Sequence, residues 1–289
     1  MRAIILGGML AAVSLPAAAQ EAPSPATIAA NSEVARSLDF ADPQDFGFAQ
    51  RGFIATLADP VIRDAKGAIV RDLRAVAFLK GPAPDSVNPS LWRNAQLTAR
   101  HGLFKVADGI WQVRGFDLSN LTVIAGKTGW IVVDPLTTAE AARAAMALVR
   151  KLLGDRPVAA VIYTHSHVDH FGGARGVVDE ADVKAGKVAI YAPAGFLENA
   201  VSENVIAGPA MGNRARYMFG EGLAAGPRGH VGTGSTALAQ RDESLAVIGQ
   251  LLAQPGAEDL LELAEAGIAE RLGEADQGRR LDAGLLRDL

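Results

Sequence analysis

From residue 102 onward, short apolar runs alternate with one long amphipathic stretch, and this pattern sets the expected elements. Ile110-Trp111-Gln112-Val113 predicts a short strand, and Asn120 to Ala125 predicts a second. Trp130-Ile131-Val132-Val133 is an almost wholly apolar third run, reached through the turn pair Thr128-Gly129. Two apolar runs joined by a short glycine-containing turn read as a hairpin. Asp134-Pro135 ends it. Thr137 stands three residues before Glu140, a capping-box spacing, so a helix is expected from Ala139 to Leu153 with Gly154 closing it. Val158 to Tyr163 has the continuous apolar character of a buried strand, and Val188 to Tyr191 is another. Between them, Gly172-Gly173 leads into a further helical stretch. Strands alternating with helices predict an α/β layered domain.

The flanks read differently. Residues 20–50 are rich in Ala, Pro, Ser and Asp without a sustained period, so they are expected to form an N-terminal arm, partly ordered at best. Pro82, Pro84 and Pro89 predict an extended loop ending at Ser90-Leu91-Trp92. From Arg241 the chain turns rich in Leu, Ala, Glu and Arg, with amphipathic helices expected over Leu245 to Leu252 and Leu260 to Leu272. At the other end, Arg2, the apolar Ile4 to Leu15 and Ala17-Ala18-Ala19 have the pattern of a secretory signal cleaved after Ala19. The expected division is a signal peptide at 1–19, the arm at 20–50, a partial α/β domain at 51–237 and a divergent helical tail at 238–289. The expected destination is secreted, or periplasmic in a Gram-negative source. No other segment reads as long and apolar enough to span a membrane.

Composition narrows the partners. The chain has 289 residues, 49% apolar and 21% charged, with a net charge of −4. Such a chain is globular rather than disordered. It shows no basic stripe that would attract nucleic acid. It contains no cysteine, which excludes disulfides, thiolate catalysis and cysteine zinc sites. A metal must therefore be held by His, Asp and Glu.

Those residues are concentrated in one place. Three of the five histidines fall within His165-Ser166-His167-Val168-Asp169-His170, directly after the buried strand. Imidazole is the commonest metal ligand, and Asp adds a hard oxygen with a compensating charge. In an extended loop, residues two apart point the same way, so His165 and His167 are expected to share one ion. Asp169 and His170 are expected to face a second. Two zinc ions roughly 3.5–4 Å apart would bridge and deprotonate a water, giving a hydroxide nucleophile at neutral pH. Asp134 ends another apolar strand and is expected to sit close by and orient an imidazole. His101 and His230 stand alone and read as structural. Ser166 lacks a base and an oxyanion hole, so it is not read as a nucleophile. Gly229 to Gly234 lacks the lysine of a phosphate loop and reads as a plain loop. Trp92, Trp111 and Trp130 read as core residues.

The H-x-H-x-D-H form of residues 165–170 resembles the metallo-β-lactamase superfamily. The flanking sequence resembles its alkyl sulfatases more specifically. The resemblance is carried by Val161-Ile162-Tyr163-Thr164 through Phe171-Gly172-Gly173, Val87-Asn88-Pro89-Ser90-Leu91-Trp92 and Gln112 to Asn120. It continues in Gly129 to Leu136, Ala200 to Gly208 and Ala210-Met211-Gly212. It runs from about Arg51 to about Gly234 and implies the first half of a metallo-β-lactamase-like αββα sandwich. It also implies hydrolysis of alkyl sulfates, as small-molecule substrates, to alcohol and sulfate at two Zn2+ ions. His165, His167, Asp169 and His170 carry over as metal ligands, with Asp169 also assigned to catalysis. The family's further ligands, dimerisation domain and carrier domain find no match in this sequence. That leaves Glu258, Glu262 and Glu265 as candidate carboxylates, and a catalytically impaired remnant, or a hydrolase of another ester, as the alternative expectation.

Overall fold

The computed structural model describes residues 21–233. The expected signal peptide, the tail helices and Glu258, Glu262 and Glu265 lie outside the described residues.

A seven-stranded mixed sheet organises the molecule. Its strands are β1 (Phe53–Ala55), β4 (Gly102–Ala107), β5 (Ile110–Arg114), β6 (Leu121–Ala125), β7 (Trp130–Val133), β8 (Val158–Ile162) and β9 (Ala189–Tyr191), in that spatial order. Pairing is antiparallel from β1 to β7 and parallel from β7 through β8 to β9. The expected hairpin at Thr128-Gly129 is the β6–β7 connection, with Ala125 opposite Trp130. A separate hairpin pairs β2 (Val61–Arg63) with β3 (Ile69–Asp72).

Side-chain alternation explains the layering. Along β6 and β7, Leu121, Val123, Trp130 and Val132 are buried, while Thr122, Ile124, Ile131 and Val133 are half-buried. The buried set faces helix α4 (Ala139–Leu153), which contributes Ala141, Ala142, Ala145, Met146 and Val149 to the same core. Small residues on the inner face of α4 let the helix approach the sheet closely, and Trp130 and Met146 fill the remaining volume. Trp130 packs edge-on against Trp111, 5.8 Å between ring centres. Trp92 and Trp130 are buried, as core residues should be.

Helix α4 has the expected bounds, but its cap is one residue later than the spacing suggests. Thr138 accepts the Ala141 amide hydrogen. Thr137 instead turns inward and donates both its amide and its hydroxyl to the buried carboxylate of Asp117. That buried acceptor outcompetes the capping position. Asp117 also pairs with Arg71 at 2.9 Å, both side chains being almost fully buried. This node ties the β5–β6 loop to β3 and to the loop that follows β7.

Three expectations give way. The arm at 20–50 contains two helices, α1 (Pro25–Ser37), capped by Ser24, and α2 (Gln44–Gln50). Asn31 and Arg93 tie this region to the rest of the chain: Asn31 donates to Asp85, and Arg93 to the carbonyls of Phe40 and Asp42. The proline loop is also shorter than expected. Pro89 is the first residue of α3 (Pro89–Thr98), with Asn88 as its cap. Proline fits the first turn because its missing N–H would be unbonded there anyway. Beyond β9, which follows the short α5 (Glu180–Lys184), lie two helices that no apolar period announces, α6 (Phe196–Val201) and α7 (Gly208–Phe219). Among the described residues, no helix is long and apolar enough to cross a membrane.

Candidate metal centre

Parallel pairing of β7 with β8 places their carboxyl ends side by side, Val133 opposite Ile162. The residues that leave those ends, Asp134 and Thr164, therefore meet. Thr164 donates to Asp134 from its amide at 2.8 Å and from its hydroxyl at 2.7 Å. Asp134 and Leu136 hold left-handed backbone, φ 54° and 66°, on either side of Pro135. Such backbone strains residues that carry a Cβ and persists where surroundings over-determine it. Here Leu136 is fully buried, and its carbonyl accepts the Gly173 amide at 2.8 Å. Gly173 itself sits so close to Pro135 that a Cβ there would lie 2.1 Å from the Pro135 carbonyl oxygen. The glycine pair thus lets the ligand loop press against the Pro135 turn.

The four expected ligands gather on that loop. His170 occupies a short 3-10 turn, Val168–His170, and directs Nδ1 to Asp134 Oδ2 at 2.8 Å. Its Nε2 lies 3.1 Å from Asp169 Oδ2. The His165 ring stands between the others, 3.9 Å from the His170 ring and 4.7 Å from the His167 ring, centre to centre. Its Nδ1 is 3.0 Å from the Thr164 hydroxyl, leaving Nε2 as the free ring nitrogen. Ser119 donates its hydroxyl to the Asp169 carbonyl.

Glu203 and Asn204, which the sequence did not single out as site residues, close the far side. Glu203 Oε2 accepts the Ser166 hydroxyl at 2.6 Å and lies 3.7 Å from His167 Nε2. Their only sequence signal was membership of the stretch Ala200 to Gly208.

Electrostatics favour positive charge at His170 and disfavour it at His165. Burial lowers the His170 pKa, but hydrogen bonds and charge from Asp134 and Asp169 outweigh it and raise the pKa to about 9. Asp134 shows the counterpart. Burial pushes its carboxyl up, and the bonds from His170 and Thr164 hold it below the usual range. Burial, then the neighbouring His170 and His167, push His165 down. In the ion-free protein, the stability that His170 contributes is complete below its ordinary pKa of 6.5 and is lost as pH rises through about 9. The urea midpoint of chelated protein should therefore fall between those pH values. A flat midpoint across them would show that the His170 contacts add nothing.

The donor chemistry fits a divalent ion: three imidazoles, one carboxylate, and a second carboxylate fixing a ring from behind. The number of converging donors falls short. Among the described residues, no set of three or more His, Asp or Glu side chains is arranged to hold one ion. The tightest contacts are His170 Nε2 to Asp169 Oδ2 at 3.1 Å and the His165 ring to the His170 ring at 3.9 Å between centres. A catalytic zinc usually takes three donors from protein. Glu203 is the carboxylate closest to making up the difference on the His167 side.

Known proteins share this architecture. Residues 114–242 match the metallo-beta-lactamase superfamily. The chain is 54% identical over 211 residues to a linear primary-alkylsulfatase of a Pseudomonas species, covering 72% of this chain and 31% of the relative. It is 48% identical over 211 residues to an alkyl/aryl-sulfatase of Saccharomyces cerevisiae, covering 73% and 33%. The solved structure of the stereoselective inverting sec-alkylsulfatase Pisa1 from a Pseudomonas species superposes with a TM-score of 0.72 at 47% identity. That match covers 78% of this chain and 35% of that one. Over the matched residues, the chain has the metallo-β-lactamase-like fold of the alkylsulfatase N-terminal region. It spans about a third of the length of these relatives.

Proposed function

From its likeness to the alkylsulfatases, we propose that this chain supplies the His- and Asp-bearing half of a metal centre that hydrolyses alkyl sulfate esters. The superfamily match implies metal dependence in general. Zinc is the ion that the donor set suits, being borderline-soft and content with imidazole and carboxylate. The observation that carries the reading is the Asp134–His170–Asp169 chain, 2.8 Å and 3.1 Å between successive donor atoms. In it, Asp134 accepts the Nδ1–H of His170, and Asp169 faces Nε2, which carries a proton in the ion-free protein and would give it up to bind a metal. Held from behind in this way, His170 with Asp169 would form one seat, and His165 with His167 the other. When bound, divalent ions in such seats acidify a water and neutralise charge on the ester's oxygens. The balance is simple: an alkyl sulfate and water give an alcohol and hydrogen sulfate, which releases its proton to solvent.

Sulfate release from dodecyl sulfate, followed with and without a chelator, tests this function. Turnover that the chelator abolishes and added Zn2+ restores is expected. Release that ignores the chelator, or no release at all, would overturn it. The two-donor seats favour one second reading, a domain that holds ions weakly and does not turn over substrate. Elemental analysis separates the two, because close to two zinc per chain counts against weak binding.

A further inference from the structure

Between α6 and α7 the chain makes a single π-helical turn, Ser202–Ile206. Such turns are rare and occur mostly as isolated insertions, frequently at functional sites. This one delivers two consecutive polar side chains to the ligand loop. Asn204 Oδ1 accepts the Val168 amide hydrogen at 3.1 Å, and its Nδ2 donates to the Ser166 carbonyl at 2.8 Å. The second Nδ2 hydrogen goes to Ala200 in the preceding helix, at 2.7 Å. Both donors of the amide are thus used, and which way it faces is settled by its partners. The two loop bonds fall on the residues immediately before and after His167. Beside them, Glu203 takes the Ser166 hydroxyl and leaves the same oxygen 3.7 Å from His167 Nε2.

We infer that Glu203 and Asn204 form a positioning clamp that fixes the orientation of His167 for metal binding. The inference rests on the reading of residues 165–170 as a divalent-ion site. The physical reason is local. His167 is half exposed, so packing alone does not hold its ring. A short loop with free backbone groups on both sides of that residue would let it swing. Bonding the carbonyl before it and the amide after it to one planar side chain removes that freedom, and the helix behind Asn204 is the anchor.

Co2+ titration followed by its visible absorption tests the clamp, with hydrogen exchange at the Val168 amide as a second, metal-independent readout. In Asn204→Ala, Co2+ affinity should fall about 10- to 100-fold, the usual range for losing a group that orients a ligand. The absorption band of the remaining complex should shift. Asn204→Asp retains the acceptor for Val168 and loses both donors, so it should recover part of the affinity. Asn88→Ala removes the α3 cap, far along the chain from the loop, and serves as a variant that destabilises without touching the site. It should leave affinity and band unchanged. Asn204→Ala with unaltered affinity and spectrum would overturn the clamp. If the unsubstituted protein takes up no Co2+, the metal reading falls. The exchange measurement then decides the clamp by itself, since equal Val168 protection with and without Asn204 would overturn it.

Discussion

Asp134→Ala lowers zinc affinity by about 10- to 100-fold in a competition titration against a chromogenic chelator. The carboxylate has three bonds to lose: the Thr164 amide, the Thr164 hydroxyl and His170 Nδ1. Removing it frees the His170 ring to rotate and to adopt the other tautomer, in which Nε2 carries the proton and binds no metal. The effect should therefore exceed that of Asp134→Asn, which keeps one carbonyl acceptor while losing the charge. The ion-free protein gives an independent check. Without Asp134, His170 keeps only Asp169 as a charged partner, and its pKa should drop from about 9 toward the ordinary value. Equal affinity in Asp134→Ala and the unaltered protein would remove His170 from the metal centre.

Asp117→Ala should destabilise the fold by about 3–5 kcal/mol, measured as a shift in the urea midpoint at constant slope. The size follows from burial rather than from attraction alone. Arg71 and Asp117 are shielded from water, with side-chain exposures of 3% and 0%. Deleting the carboxylate takes an ion-pair partner from a buried guanidinium and strips the acceptor from Thr137 and from the Leu118 amide. Asp117→Asn keeps acceptor capacity for the amides and should lose less. The consequence reaches the site, because Thr137 belongs to the loop that begins at Asp134, and Ser119, two residues from Asp117, holds the Asp169 carbonyl. A midpoint within experimental error of the unaltered protein would show that the buried pair contributes no net stability.

The parts of this fold that could be read from sequence are those where burial and period coincide. Helix α4 and strands β5 to β9 stand within a residue or so of expectation, because each is an apolar run and all but β8 are ended by a nearby Gly, Pro or Asp. The role of Asp134 beside an imidazole was legible for a topological reason: two adjacent parallel strands bring their carboxyl ends together. The helices α1, α3, α6 and α7 were not legible. Their inner faces bury few large side chains, and prolines at the first turn of α1, α3 and α7 read as loop punctuation. At the site, the four loop residues announced themselves by density of metal-binding side chains. Glu203 and Asn204 did not, since a single acid and amide some 35 residues downstream carry no local signal. Only the π-helical turn brings them back to the loop. The distribution of ring nitrogens was hidden too. The sequence suggests pairing His165 with His167, whereas the His165 ring lies closer to His170 than to His167.

The paired left-handed residues around Pro135, wedged between the core and a glycine, also bear on how fast an ion is taken up. With the Asp134 turn already locked and His170 already aimed, that one ligand needs no rearrangement of the backbone to meet an arriving cation. At that side of the loop the slow event in capture is then the ion shedding its own hydration shell, so first contact with His170 should rank divalent ions by how quickly they exchange water.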